Sequence, residues 1–173
     1  MAPNANRPSN AAVITMVDPT NSPSSRAPLV WALGGAVPWL VFAILQLGWA
    51  VADPRLEWLH VGAVAVTALG LLVSVVIAPV WRFRVHRWDI SDHAVYTRTG
   101  WLVQERRIAP ISRVQTVDTY RGPLDRLLGL ANVRVTTASS AGAVHIVALD
   151  APVADQVVAH LTNIASLGAG DAT

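Results

Sequence analysis

The chain has 173 residues, 53% of them hydrophobic and only 14% charged, with a formal net charge of +2 and no cysteine. Disulfides, thiolate catalysis and zinc–cysteine sites are excluded, and so small a net charge is no nucleic-acid footprint. All thirteen basic residues are Arg, and a mean hydropathy of +0.42 fits a membrane protein with room for one modest domain beside its apolar part.

Residues 1–26 are rich in Asn, Pro, Ser and Ala, with few large apolar side chains beyond Val13, Ile14 and Val17. Such a segment cannot bury enough surface to offset its chain entropy, which predicts a disordered tail. Two uncharged runs follow, Ala27–Ala52 and Leu59–Trp81, separated by Asp53-Pro54-Arg55-Leu56-Glu57-Trp58. About 20 apolar residues at ~1.5 Å each span a hydrocarbon core of ~30 Å. Residues 27–81 are therefore expected to form a transmembrane hairpin, with helices over about 29–51 and 59–80. The first run starts too late and is too long for a signal peptide, so uncleaved helices are expected.

Pro38 lacks the N–H of a helix interior and favours a kink. Gln46 is the single strongly polar side chain of the first run and is expected to bond a neighbouring helix or the interface. Thr67 and Ser74 can bond back to their own helix, and His60 lies at the mouth of the second run. Trp31, Trp49, Trp58 and Trp81 fall near the ends, where an amphipathic ring favours the headgroup level, while Trp39 falls well inside. Arg82, Arg84 and Arg87 follow the second run and Arg26 precedes the first, whereas the link carries Arg55 alone beside Asp53 and Glu57. The positive-inside rule then places both termini and the following domain in the cytoplasm of a multi-pass bacterial plasma-membrane protein. The three membrane-proximal arginines are read as fixing topology, with an attraction to anionic lipid of ~1 kcal/mol per residue. Neither run has an ionisable residue at mid-depth, which argues against transport or intramembrane catalysis.

From Arg82 the periodicity changes. Arg82–Ile90 alternates polar and apolar residues like a strand with one buried face. Ser91-Asp92 makes a turn, Ala94–Thr99 resumes a strand, Gly100 turns the chain, and Trp101–Ile108 runs back until Pro110 interrupts it. Arg113–Tyr120 alternates again, with Val114 and Val117 out of step in a way that suggests a bulge. Pro123–Leu128 reads as one or two helical turns capped by Gly129. Val133–Thr137 and Ala143–Leu149 form a hairpin around Ser139–Gly142. Asp150 then caps a helix carrying Val153, Val157, Val158, Leu161 and Ile164 at helical spacing. The domain is expected over residues 82–166, with a flexible tail over 167–173.

Two clusters in this half carry a resemblance: Arg113-Val114-Gln115-Thr116-Val117-Asp118 and Gly122-Pro123-Leu124-Asp125-Arg126-Leu127-Leu128-Gly129-Leu130. With Pro110, they resemble the bacterial pleckstrin-homology family of YdbS-like membrane proteins. Pro110, Arg113, Gln115 and Val117 fill the first part of that family's pattern, and Leu124, Arg126, Gly129 and Leu130 the second. The resemblance implies an α+β membrane protein: a transmembrane helical hairpin followed by a PH-like antiparallel β-barrel or sandwich with a C-terminal capping helix.

On a regular strand Arg113 and Gln115 face the same side, where Arg126 and Asp118 can approach them. Two readings stay open: a polar network pinning the short helix to the sheet, or a ligand or partner patch of the sort this superfamily often carries. Arg106 and Arg107 are either a solvated strand end or a grip for an anionic headgroup. Catalytic signatures are missing from the sequence. His60, His86, His93, His145 and His160 lack metal-site spacing, and there is no nucleophile elbow or phosphate-cradling loop. Asp89 and Asp92 flank a turn, where Asp is usual for backbone reasons. The expectation is a non-enzymatic module without metal or cofactor. It would act as a membrane-anchored binding or scaffold module, or alternatively as an accessory subunit of a larger transport, secretion or envelope complex. Its expected partners are the bilayer and another membrane protein of the same family or a second copy, and not nucleic acid. Gly34, Gly35, Gln46 and Gly62 are the expected helix–helix contacts of an accessory subunit.

Overall fold

The computed structural model describes residues 18–100, 103–138 and 142–170, with side chains as far as Ile164. Helix α1 spans Ala27–Ala52 and α2 spans Glu57–Val85, both long and apolar enough to cross a membrane. They run antiparallel, with contacts that step in opposite directions along the two helices. Trp49 lies against His60 at 4.3 Å between ring centroids. The Gln46 amide nitrogen donates to the Ala63 carbonyl at 3.0 Å and the Thr67 hydroxyl at 2.7 Å. Trp39 Nε1 donates to Ser74 Oγ at 2.9 Å. In a medium without water every polar group needs such a partner. Gln46 thus meets its neighbouring helix as expected, and Thr67 bonds back to Ala63 at 2.9 Å. Ser74 is used across the hairpin by Trp39, which explains the one tryptophan set deep in a run. That ring needs Gly70, because a Cβ there would meet the indole. Around Ser74, α2 widens into a π turn at Val73–Ile77.

Six strands follow: β1 (Arg87–Ile90), β2 (Ala94–Gly100), β3 (Gln104–Pro110), β4 (Val114–Tyr120), β5 (Leu130–Thr137) and β6 (Val144–Asp150). They form two antiparallel three-stranded sheets, β1-β2-β3 and β4-β5-β6. A short helix α3 (Pro123–Leu128) links β4 to β5, and α4 (Ala151–Gly170) follows β6. The main core gathers Val95, Val133, Val135, Ile146 and Leu149 from the sheets and Ile111 from the turn before β4 with Val157 and Leu161 of α4. A second, smaller core joins Leu130 and Ala148 to Ala27, flanked by Trp31 and Phe83. This second core binds the domain to the root of the hairpin.

Several boundaries differ from those expected, among them β5, which starts at Leu130 and not at Val133. The alternation over Arg82–Ile90 begins as helix: α2 continues to Val85 and the strand starts at Arg87. Arg82 and Arg84 in a last helical turn complement its dipole, and Arg87 closes the turn by donating to the Phe83 and His86 carbonyls at 2.8 and 2.7 Å. The segment before α1 is no free tail from Asp18 on. Asn21 forms an antiparallel bridge with Trp88, and Ser24 is buried; residues 1–17 lie outside the described residues. At the other end the expected tail from 167 is helical to Gly170, since glycine in a helix costs only about 1 kcal/mol.

The short helix appears over Pro123–Leu128, with Gly129 in the left-handed conformation at φ 70°. The expected bulge lies where it was placed. Val114 pairs with Thr137 and Thr116 with Thr136, leaving Gln115 without an opposite residue, so that Val114 and Val117 both pack on the core.

Candidate functional site

The bulge decides how the motif is displayed. Ile111–Arg113 is a 3-10 turn and Gln115 is the inserted residue, so the regular-strand argument for Arg113 and Gln115 sharing a face does not apply. Both are exposed. Arg126 is exposed on α3, and Asp118 pairs in register with Arg134 on β5. Among the described residues, the side chains of Arg113, Gln115 and Arg126 make no hydrogen bond or ion pair with one another, nor with Asp118. The other motif positions are built into the fold. Pro110 ends β3 opposite Ala94, Val117 packs on the main core, Leu130 is fully buried in the second core, and Leu124 faces the root of α1.

The network that does pin α3 to the sheet uses residues the sequence did not single out. Asn132, 7% exposed, donates from Nδ2 to Asp125 Oδ2 at 2.8 Å and accepts the Ala148 N–H on Oδ1 at 2.8 Å. The same Asp125 oxygen accepts the Gly122 N–H at 2.9 Å. Ala148 has φ 55° and lies where the β5–β6 register shifts, so its amide leaves the ladder and Asn132 takes it. An Asn inside the apolar stretch Leu-Ala-Asn-Val-Arg-Val was the available signal, because a buried amide needs partners.

The freed Ala148 carbonyl accepts the Ser24 N–H at 2.8 Å. Ser24 Oγ donates to Asp150 Oδ1 at 2.7 Å, and Arg26 donates to the Leu128 carbonyl at 3.1 Å. On the other sheet, Asp18 pairs with Arg106 at 3.1 Å, Asn21 bridges Trp88, and the Thr20 hydroxyl donates to Asp89 Oδ2 at 3.1 Å. Residues 18–26 are thus a strap across both sheets, ending where α1 begins. They also use Arg106, one of the two strand-end arginines. Arg107 in turn pairs with Glu105 at 2.7 Å and donates to the Ala143 carbonyl at 3.2 Å.

The three membrane-proximal arginines do different things. Arg87 caps the α2 C-terminus. Arg84 is exposed. Arg82 lies over the Trp31 ring at 4.4 Å and donates no hydrogen bond to a described residue. His86, beside them, is buried, with its ring 5.4 Å from that of Trp31 and its Nδ1 donating to the Arg82 carbonyl at 3.0 Å. Burial first, and then the Arg82 charge, lower its pKa to about 4, so this imidazole is neutral at pH 7. His145 is shifted down as well, by partial burial and then by Arg134 and Arg107. Among the described residues no cluster of three or more His, Asp or Glu is arranged to hold a metal.

The bacterial PH domain profile matches residues 29–165, most of the chain and the hairpin with it. The chain belongs to the bacterial PH domain family. It is 33% identical over 151 residues to the transmembrane protein YdbS of Bacillus subtilis (strain 168), a match covering 85% of this chain and 93% of that relative. No solved structure matches it. A bacterial PH domain that begins inside α1 treats hairpin and sheets as one unit, in agreement with the second core.

Proposed function

We propose that the protein is a membrane-anchored, non-catalytic binding or scaffold module that holds a PH-like barrel against the cytoplasmic face of the bacterial plasma membrane and contacts a protein partner there. The observation that carries this is the motif itself: Arg113, Gln115 and Arg126 are exposed and have no side-chain partner among the described residues, while their motif neighbours are structural. Exposed guanidinium and amide groups at fixed positions suit recognition of a polar or acidic surface. The two sheets and α4 are read as the two halves and the capping helix of the barrel. The cytoplasmic orientation is supported by Arg26, Arg82, Arg84 and Arg87 at the domain end of the hairpin against Arg55 alone at the other.

Site-specific photo-crosslinking in intact cells tests the proposal. A crosslinker at position 113 or 115 should capture a defined protein that one at the exposed Asp155 of α4 does not. Identical patterns at the three positions would remove the support for a motif-centred partner. A C-terminal reporter active only in its periplasm-dependent form would overturn the orientation. A second reading, an accessory subunit of a larger membrane complex, is favoured by open space around Gly48 and Gly62 on the hairpin. Gly35 and Gln46 are less suited to it, because they are already used between α1 and α2.

A further inference from the structure

Where the hairpin meets the domain, a cavity of about 600 Å³ opens between α1, the end of α2 and α3, within the roughly 300–1,000 Å³ range of ligand pockets. Its deeper wall is small, Gly34, Gly35 and Ala78 beside the π turn, with Ser74 as its one polar side chain, and the Ser74 hydroxyl already accepts the Trp39 indole N–H. Its outer wall carries Arg82, stacked on Trp31, and faces α3 of the domain. The stack engages the guanidinium through the aromatic face, which leaves its N–H donors without an acceptor among the described residues. The carboxylate on this wall, Asp125, already accepts two N–H groups on Oδ2. The two glycines differ. A Cβ on Gly35 would lie 2.8 Å from the Ser74 carbonyl, so Gly35 is needed for helix packing, whereas a Cβ on Gly34 would meet nothing within 4 Å. Gly34 therefore leaves space that the described residues do not fill.

We infer that this cavity holds one anionic phospholipid, with its phosphate on the Arg82 guanidinium and the upper part of one acyl chain along Gly34 and Ala78. This rests on the hairpin spanning the bilayer. The order of the walls then matches the lipid: apolar at chain depth, and a cation with unused donors where α2 leaves the membrane. Arginine meets a phosphate through paired N–H donors, and the Trp31 ring fits the headgroup level. The site differs from the diffuse attraction of the other arginines in having a cavity beside it and a guanidinium held over a ring.

Full-length protein in vesicles of equal phosphatidylglycerol and phosphatidylcholine, extracted in mild detergent and weighed by native mass spectrometry, tests it. The wild type should keep one phosphatidylglycerol per chain. Arg82→Gln should lower that retention roughly tenfold, the loss expected for a hydrogen bond to a charged group. Arg84→Gln removes the same charge from an exposed position two residues away and should change it less than about twofold, as for a screened surface charge. Gly34→Leu should empty the site by filling its chain-binding half without touching Arg82, and it carries the test alone if Arg82→Gln loses its near-UV circular dichroism. Equal losses in the two arginine variants, or undiminished retention in Gly34→Leu, would overturn the site. A wild type that resists carbonate extraction yet retains no lipid would overturn the site and leave the transmembrane reading standing. A wild type stripped by carbonate would overturn both.

Discussion

At the far end of the hairpin, His60 reaches back seven residues to the Asp53 carbonyl and lies against Trp49. At the domain end, Ser24 reaches Asp150 across 126 residues, Arg26 reaches Leu128, and Ala27 shares a core with Leu130 and Ala148. The far end is closed by neighbours in sequence and the domain end by residues from the strap, both helices, α3 and both sheets. The far end therefore needs only the hairpin, while the domain end exists only once the domain has folded. Ordering the domain seats it on the root of the hairpin.

The comparison breaks most completely at Asn132. Asn132→Ala leaves the buried Ala148 N–H without its acceptor, at about 1–3 kcal/mol, and removes one of the two N–H groups on Asp125 Oδ2, at about 1 kcal/mol more, while the Gly122 N–H stays. A loss of about 3 kcal/mol is expected in denaturant titration of the full chain in detergent, together with faster hydrogen exchange over residues 18–26 and none at the far end. Destabilisation confined to β5 and β6 would mean that the strap does not depend on the bulge it grips.

Acid should loosen the same end next. His86 has a folded pKa of about 4 against ~6.5 when unfolded. Between these values the unfolded chain binds the extra proton, so stability is complete above pH 6.5 and falls as the pH drops towards 4. The expected loss from pH 7 to 4.5 is about 2 kcal/mol, read as a falling melting temperature. His86→Phe keeps the ring against Trp31 and should flatten that slope. An unchanged slope would assign the acid sensitivity to another group.

What was legible in the sequence follows the same division. The hairpin was legible because a bilayer demands a length, and α3 with Gly129 because a Pro start and a glycine stop are local signals. The bulge at Gln115 showed in the spacing of Val114 and Val117. The junction was not legible. Arg82-Phe83-Arg84-Val85 alternates like a strand, and only the carbonyls that Arg87 caps mark it as helix. Residues 18–26 look like solvated tail because none of their own side chains is large and apolar; their order comes from Trp88, Ala148 and Asp150, far along the chain. The site suffered likewise, since Arg113 and Gln115 were paired by a strand period that the bulge cancels, and Asn132 acquires its meaning only from the positive φ of Ala148.

Ser24→Ala sharpens the strap more gently. It removes the bond to Asp150 and the 3.2 Å bond that Ser24 Oγ accepts from the Arg26 N–H, while the backbone bond to Ala148 stays. A cost of about 1–2 kcal/mol is expected, seen as faster exchange of amides 20–26 with the domain's own melting little changed. Equal destabilisation of the whole domain would make the strap part of its folding unit and not a clamp laid over it.

The smallest effect is expected from His60→Ala, which probes the other side of the comparison. The variant loses one neutral hydrogen bond, worth about 1 kcal/mol net, and one aromatic contact of similar size. Part of that is recovered, because the Asp53 carbonyl lies at the polar link, where water can replace the imidazole. The net cost should be near 1 kcal/mol and confined to the turn. Exchange should quicken over residues 50–60 while residues 18–26 and the domain stay as they are. The intervening helices hold each other independently, through Gln46 on Ala63 and Thr67 and through Trp39 on Ser74. Those contacts lie between the two ends and should stop the disturbance. Quickened exchange in the strap of this variant would show instead that α1 and α2 move as a rigid pair, with the turn and the domain junction at the two ends of one lever.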